Sequence, residues 1–282
     1  MITGAAKIAG VVGWPVAHSL SPLIHNAWIE ALGLDAVYIP FAVAPDAFDS
    51  FLDGLRGTNV CGLNVTLPHK LRAHDLADEL GVAAMTSRAA NTLVFRPDRT
   101  IHADNTDGDG LRWALMQGHE RNWKAQQRPV VLLGAGGAAR GAIDALAERG
   151  ASEVRVVARR LAAAEQLAAG WNGFVTAHDF DRLNVACEGA AAVVNATSAG
   201  LNGLGDLPEI SAAPNDAVFM DMVYRPLKTS FLRRAVAHGH PTVDGLEMLI
   251  GQAAQSFFAF FGVFPPQHVD VRTLCLRALG EA

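Results

Sequence analysis

Short apolar runs rich in β-branched residues alternate with segments of helical periodicity along the first hundred residues. KIAGVVGW, AVYIPFAV and VCGLNVT have strand character, while SPLIHNAWIEAL and PDAFDSFLDGL between them space their apolar residues for one face of a helix. The alternation predicts βαβ units and a mainly parallel sheet. NTLVF and TIHADNT, joined by RPDR, predict a hairpin that ends this block. A helical stretch over 108–123, GDGLRWALMQGHERNW, leads through polar KAQQRP to a second start. There VVLLGAGGAARGAIDALAERG (130–150) reads as strand, glycine turn and helix, SEVRVVARR as the next strand, and AAVVNATSAG and AVFMDMVY as later ones. The closing GLEMLIGQAAQSFFAFFG is a strongly apolar helix with Gln252 and Gln255 set into it. The expected class is α/β, in two α/β domains, each of ordinary size.

Composition narrows what such a chain does. Its 282 residues can bury a substantial core, half of them are apolar, and 18% are charged with a net charge of −5. That balance gives no general attraction to nucleic acid or to an acidic membrane, so any anion must be met by a local cluster. Cys61, Cys187 and Cys275 are widely spaced and odd in number, which suits a reducing compartment. The apolar run after Lys7 is broken by Gly13 and Pro15, and no stretch approaches the ~18 apolar residues of a membrane span. A soluble, cytoplasmic protein is expected. The ten histidines include the pairs His69 and His74, and His238 and His240, at spacings that match no common zinc motif, so no metal is expected. His18 and His25 are expected to cap or pack.

Gly134, Gly136 and Gly137 follow a buried-looking strand and open a helix. Glycine there allows a tight turn and close approach of a pyrophosphate to the helix N-terminal N–H groups, with Ala139 as the third small residue of a dinucleotide fingerprint. At the end of the next strand, where an NAD site places Asp or Glu against the ribose, stand Ala158, Arg159 and Arg160. Two guanidiniums suit the 2′-phosphate of NADP. The first half of the chain repeatedly ends strand-like runs with hydroxyl or amide side chains, in HSLSP, NVTLPHK, AANTL and DNTDG. A hydroxyl-rich small molecule bearing a carboxylate needs such a lining. Taken singly, Asp107 and Ser21 read as helix caps, Ser21 preceding Pro22 as a cap precedes the first helical residue.

Taken together, GWPVAHSLSPLIHN, NVTLPHK, NTLVF, DNTDG, GAGGAAR, NATSAG, DMVYRP and DGLEMLIGQAAQSF make the chain resemble the shikimate dehydrogenase family over nearly its whole length. The resemblance implies reduction of 3-dehydroshikimate to shikimate by NADPH in chorismate and aromatic amino acid biosynthesis, by a monomer or homodimer. It implies that Lys70 and Asp107 are the catalytic pair. As hydride reaches the carbonyl carbon, charge grows on oxygen, where a protonated Lys70 can stabilise it and deliver the proton while Asp107 orients the ammonium. It also implies that Ser19 and Ser21 bind the substrate carboxylate with Tyr224 nearby, and that Asn64, Thr66, Asn91 and Gln252 hold ring hydroxyls. Ala135, Ala138, Thr197, Met222 and Gly245 join the glycines and the arginine turn in the implied cofactor set. The implied fold has a mainly parallel substrate domain over 1–107, completed by closing helices over 244–282, and a Rossmann-type NADP domain over 108–243, separated by a cleft that closes over the substrate.

The chain departs from the family pattern in three places. Ala158-Arg159-Arg160 replaces Asn-Arg-Thr, and Arg88 and Ala103 each stand where a glycine is usual. An arginine near a carboxylate-bearing substrate could alter specificity, a hypothesis that an unchanged substrate profile in an Arg88→Gly variant would dispose of. Two other functions fit the same chain: a quinate/shikimate dehydrogenase using NAD, which Arg159 and Arg160 argue against, and a dinucleotide-binding regulator without turnover, which has no need of both Lys70 and Asp107.

Overall fold

The computed structural model describes residues 2–118 and 124–281. The chain divides into two compact units, residues 1–107 with 252–282 and residues 108–251.

The first unit runs β1 (Lys7–Gly13), α1 (Ser21–Ala31), β2 (Ala36–Ala42), α2 (Phe48–Leu55), β3 (Val60–Val65), α3 (Lys70–Leu76), β4 (Glu79–Leu80), α4 (Val82–Ser87), β5 (Thr92–Phe95) and β6 (Ile101–Asp104). Its six strands form one sheet in the order β2-β1-β3-β5-β6-β4. The β1–β2, β1–β3 and β4–β6 pairings are parallel, whereas β5 runs antiparallel to both β3 and β6. The hairpin expected from NTLVF and TIHADNT is therefore β5–β6, and it makes this sheet mixed. Val12, Leu63, Val65, Leu93, Ile101 and Ala103 on the strands pack with Phe48, Leu52 and Ala73 of α2 and α3 in one buried cluster. Ala103 belongs to that cluster and is fully buried.

In sequence between the strands of the two sheets, α5 (Asp107–Gly118) covers the first part of the helix expected over 108–123, and the remainder of that stretch from residue 119 lies outside the described residues. The second unit then runs β7 (Val130–Leu133), α6 (Gly137–Glu148), β8 (Val154–Val157), α7 (Leu161–Ala168), β9 (Val175–His178), α8 (Leu183–Cys187), β10 (Ala192–Asn195), β11 (Val218–Asp221), α9 (Ser230–Ala237) and β12 (Thr242–Val243). Its sheet has the order β12-β11-β10-β7-β8-β9, with every pairing parallel. The chain starts at a central strand, winds outward through β8 and β9, then returns to β10 on the other side. This is the doubly wound order of dinucleotide-binding sheets, with its switch point between β7 and β10.

Residues alternate across that sheet as strand geometry requires. Val130, Leu132, Ala192, Val194, Val218 and Met220 enter one buried cluster, and Val131, Leu133, Val193 and Phe219 enter another. All four residues of β7, β10 and β11 are buried; β7 reads as a continuous apolar run, and β10 and β11 are apolar up to their last residues, Asn195 and Asp221. Two helices close the chain, α10 (Gly245–Phe261) and α11 (Val271–Leu279). The division between units falls inside α10, which leaves Gly245 with the second unit and Gln252 with the first.

Candidate active site

In the first unit, β1, β3 and β6 point the same way and β5 the opposite way, so the ends of the first three and the start of β5 share one edge of the sheet. Ser19 and Ser21 follow β1, Thr66 and Lys70 follow β3, Asn91 precedes β5, and Asp107 follows β6. Backbone bonds hold these segments together: Val65 N donates to Asn91 O (2.7 Å), Asn91 N to Asp104 O (3.1 Å) and Ala90 N to Lys70 O (2.8 Å).

At this edge Lys70 Nζ donates to Asp107 Oδ2 at 2.5 Å, with the lysine side chain 13% and the aspartate side chain 6% exposed. Asn91 Nδ2 donates to the other carboxylate oxygen, Oδ1, at 2.8 Å and lies 3.1 Å from Thr106 Oγ1 and 3.5 Å from Gln252 Oε1. Its side-chain oxygen, Oδ1, accepts from Thr106 N (2.8 Å) and from the Thr92 hydroxyl (2.9 Å). A buried amide thus fixes the carboxylate that holds the lysine. Asn105 prepares the turn, accepting from Asp107 N through Oδ1 and donating through Nδ2 to Ala89 O (2.9 Å) and Ser87 Oγ (3.1 Å). Asn64, at the end of β3, is buried and accepts through Oδ1 from the Tyr38 hydroxyl at 2.8 Å and from Ser256 Oγ at 3.2 Å. Thr66 and Ser19 are half-buried, and Ser19 Oγ accepts from Ser21 N at 3.3 Å. The Lys70–Asp107 ion pair lies in one half-enclosed polar strip with donors and acceptors on either side. That arrangement suits proton transfer to or from a ligand oxygen.

The second unit presents its own sheet edge in the same way. Gly134 follows β7, Ala158 to Arg160 follow β8, Thr197 follows β10, Met222 and Tyr224 follow β11, and Gly245 follows β12. Ligands of open parallel sheets bind at these carboxyl ends. Gly134 has φ +104°, and a side chain there would also press on Thr197 and the Ala196 carbonyl. Gly136 caps α6 without any side-chain bond, and an added Cβ at Gly136 would meet nothing within 4 Å. The first N–H groups of α6 are thereby left for an anion in an uncrowded turn, which fits a dinucleotide pyrophosphate. Arg159 and Arg160 are exposed and form no ion pair among the described residues, so both guanidiniums can meet a phosphate, while Ala158 is buried. At Gly245 a Cβ would come within 2.6 Å of Met222 O, so glycine alone lets α10 start against the end of β11.

Beneath this edge lies a buried carboxylate that sequence reasoning did not single out. Asp221 accepts from the Thr229 hydroxyl (2.6 Å), Asn195 Nδ2 (2.8 Å) and Val223 N (2.9 Å), and Asn195 Oδ1 in turn accepts from Thr197 N (2.9 Å) and Oγ1 (2.7 Å). Burial pushes the Asp221 carboxyl up to about 6 despite these three donors. One acid thereby ties together the loops after β10 and β11, which carry Thr197, Met222 and Tyr224.

One reading of a single residue changes. Ser21 is not the cap of α1: Leu20 holds that position, no side chain caps the helix, and Ser21 is its first, buried residue beside Pro22. The Asp107 carboxylate is held by Lys70 and Asn91. Tyr224 lies in the second unit, half-buried in the turn after β11. Arg88 ends α4 with φ 50° and ψ 37° and an exposed side chain, a left-handed conformation for which glycine is the natural occupant. His25 packs, fully buried and stacked on Tyr38. No cluster of three or more His, Cys, Asp and Glu able to hold a metal occurs among the described residues. Tyr38, Thr106 and Ser256 join the site without having been anticipated. Thr106 lies inside the DNTDG motif and was within reach of the sequence, whereas nothing local marks the other two.

Comparison with known proteins matches residues 11–93 to the shikimate dehydrogenase substrate binding domain and residues 117–219 to shikimate / quinate 5-dehydrogenase. The shikimate dehydrogenase (NADP(+)) of Caulobacter vibrioides is 51% identical, over 99% of this chain and 98% of that protein. The shikimate 5-dehydrogenase of Thermus thermophilus, solved in complex with NADP(H) and shikimate, is similar with a TM-score of 0.80 at 34% identity, covering 92% of this chain and 95% of that one. The quinate dehydrogenase of Corynebacterium glutamicum in complex with NAD is similar with a TM-score of 0.82 at 29% identity, over 93% and 95% of the two chains.

Proposed function

The chain belongs to the shikimate dehydrogenase family, and from that premise we propose that it interconverts 3-dehydroshikimate and shikimate with NADP(H), using Lys70 and Asp107 as its proton-transfer pair. The observation that carries the assignment is the 2.5 Å contact of Lys70 with Asp107, braced by Asn91 at the sheet edge that also presents Ser19, Ser21, Asn64 and Thr66. Substrate binding belongs to the first unit, residues 1–107 with the closing helices, and NADP binding to the second.

Bound NADPH supplies the hydride for reduction, and NADP⁺ accepts it in oxidation. In the reductive direction Lys70 stabilises the charge growing on the substrate oxygen and passes it a proton, and in the oxidative direction the pair accepts the hydroxyl proton. Asn91 keeps the carboxylate aimed at the lysine. Ser19 and Ser21 bind the substrate carboxylate, and Asn64, Thr66, Asn91 and Gln252 meet its oxygens. The N-terminal N–H groups of α6 hold the pyrophosphate, and Arg159 and Arg160 hold the 2′-phosphate. Three free cysteines, two of them buried, support a cytoplasmic setting, where the protein acts as a monomer or homodimer. No helix among the described residues is long and apolar enough to cross a membrane.

The test is steady-state oxidation of shikimate by NADP⁺ with the unmodified protein and with Lys70→Ala. A loss of roughly 10²–10⁴ in kcat with a smaller rise in KM is expected, because the lysine contact strengthens as the alkoxide forms. A raised KM with kcat retained contradicts the assigned role.

A further inference from the structure

The Asn64 amide is held in one orientation. Its Oδ1 faces two hydroxyls, Tyr38 at 2.8 Å and Ser256 at 3.2 Å, while its Nδ2 lies 3.4 Å from the carbonyl of Asn91. Turning the amide over would set two carbonyl oxygens against each other at that last contact, which breaks the ambiguity that hydroxyl neighbours alone would leave. The hydroxyl of Tyr38 is the firmer of the two donors, because Ser256 shares its single proton with Ala253 O at 3.1 Å.

Tyr38 is itself locked from two sides. Its backbone N–H donates to Asn26 Oδ1 (3.0 Å) and its carbonyl accepts from Asn26 Nδ2 (2.8 Å), which also reaches Pro22 O. Its ring stacks on His25 with centroids 4.0 Å apart and planes inclined by 12°. Burial pushes the His25 imidazole down to about 3, so a neutral ring lies on the tyrosine at any pH at which the protein is used. The last two residues of the SPLIHN motif thus converge on one tyrosine, although neither belongs to the substrate set.

We propose that Tyr38 and Ser256 are positioning residues that fix the Asn64 amide so that it offers N–H, and not C=O, to the substrate oxygen it meets. This rests on the substrate role assigned to Asn64 above. The consequence is chemical: the group opposite Asn64 must accept a hydrogen bond, as a keto or hydroxyl oxygen does and an ammonium does not.

The experiment is a double-mutant cycle on shikimate oxidation with Tyr38→Phe, Asn64→Ala and the double variant, each checked for folding by circular dichroism. Tyr38→Phe keeps the ring on His25 and removes only the hydroxyl. It is expected to raise KM for shikimate by roughly threefold to tenfold, the effect of one neutral hydrogen bond, with kcat and KM for NADP⁺ little changed. Asn64→Ala should cost more, and the double variant should match Asn64→Ala within about 1.5-fold. Multiplying effects, or an equal loss in NADP⁺ binding, would overturn the proposal, because Tyr38 would then act elsewhere. A large effect of Asn64→Ala beside an inert Tyr38→Phe removes the positioning role alone. An inert Asn64→Ala removes the substrate role of Asn64 and the proposal with it. If Tyr38→Phe does not fold, Ser256→Ala, at a helical position where alanine is favourable, carries the same prediction at about twofold in KM, and no change in KM overturns it.

Discussion

Replacing Asp107 by asparagine keeps the shape of the side chain and removes its charge. In the native site the two carboxylate oxygens have separate donors, Lys70 Nζ on Oδ2 and Asn91 Nδ2 on Oδ1. An asparagine has one acceptor oxygen, so its NH₂ group must face either the ammonium or the Asn91 amide, donor against donor. Both side chains of the pair are largely enclosed, at 13% and 6% exposure, so water makes up little of the difference. Loss of one charge-assisted bond is worth about 1.5–3 kcal/mol, and an ion left without its partner in an enclosed site costs about 3–5 kcal/mol. A destabilisation of about 3 kcal/mol is therefore expected for Asp107→Asn, at the low end because Lys70 keeps some contact with solvent. Denaturant unfolding measures it directly. Steady-state oxidation of shikimate should show kcat lower by roughly 10²–10³, since the lysine loses both its orientation and its proton-transfer partner. A variant within about 0.5 kcal/mol of the parent and within about threefold in kcat would refute the reasoning, because the 2.5 Å contact would then be incidental.

Arg159→Ala should raise KM for NADP⁺ about tenfold and leave NAD⁺ within about twofold, as measured by initial rates with each cofactor; equal losses would make the residue structural. Arg88→Gly should stabilise the protein by about 1 kcal/mol in denaturant unfolding, because it relieves a left-handed residue; since the Arg88 side chain is exposed at the end of α4, the ratio of shikimate to quinate activity should stay unchanged, against the specificity effect raised from the sequence. Asp221 predicts a pH signature. Its folded pKa of about 6 lies above the unfolded 3.8, so the native state binds this proton more tightly and stability falls as pH rises between those values. Between about pH 5 and pH 7 the parent should lose about 1 kcal/mol more than Asp221→Asn does, and parallel curves for the two would contradict the burial argument.

Much of the fold was legible because local pattern and tertiary demand agree. The apolar run of β7 and the apolar first three residues of β10 and β11 are what a sheet covered on both faces requires, and the glycine turn before α6 needs a backbone that only glycine gives at Gly134. The Lys70–Asp107 pairing was legible only through the family resemblance, since 37 residues separate the two and nothing in either local stretch refers to the other. The cap reading that Ser21 invites on its own fails: a serine before proline carries the usual signature of a cap, yet the helix begins one residue earlier and buries it. Tyr38 and Ser256 were out of reach for a different reason. One is an ordinary strand tyrosine and the other an ordinary helix serine, and they become functional candidates only when the fold brings them across 26 and 192 residues to the same amide oxygen. Asp221 escaped notice because strand-end acids are common, and only its complete burial and three donors mark it.

The most direct test of the account is a set of initial rates for the purified protein oxidising shikimate and quinate, each with NADP⁺ and with NAD⁺. Activity confined to shikimate with NADP⁺ is the predicted result, in keeping with the polar strip of the first unit and the two exposed arginines after β8. Comparable rates with quinate and NAD⁺ would contradict it, and would mean that Arg159 and Arg160 do not select the cofactor.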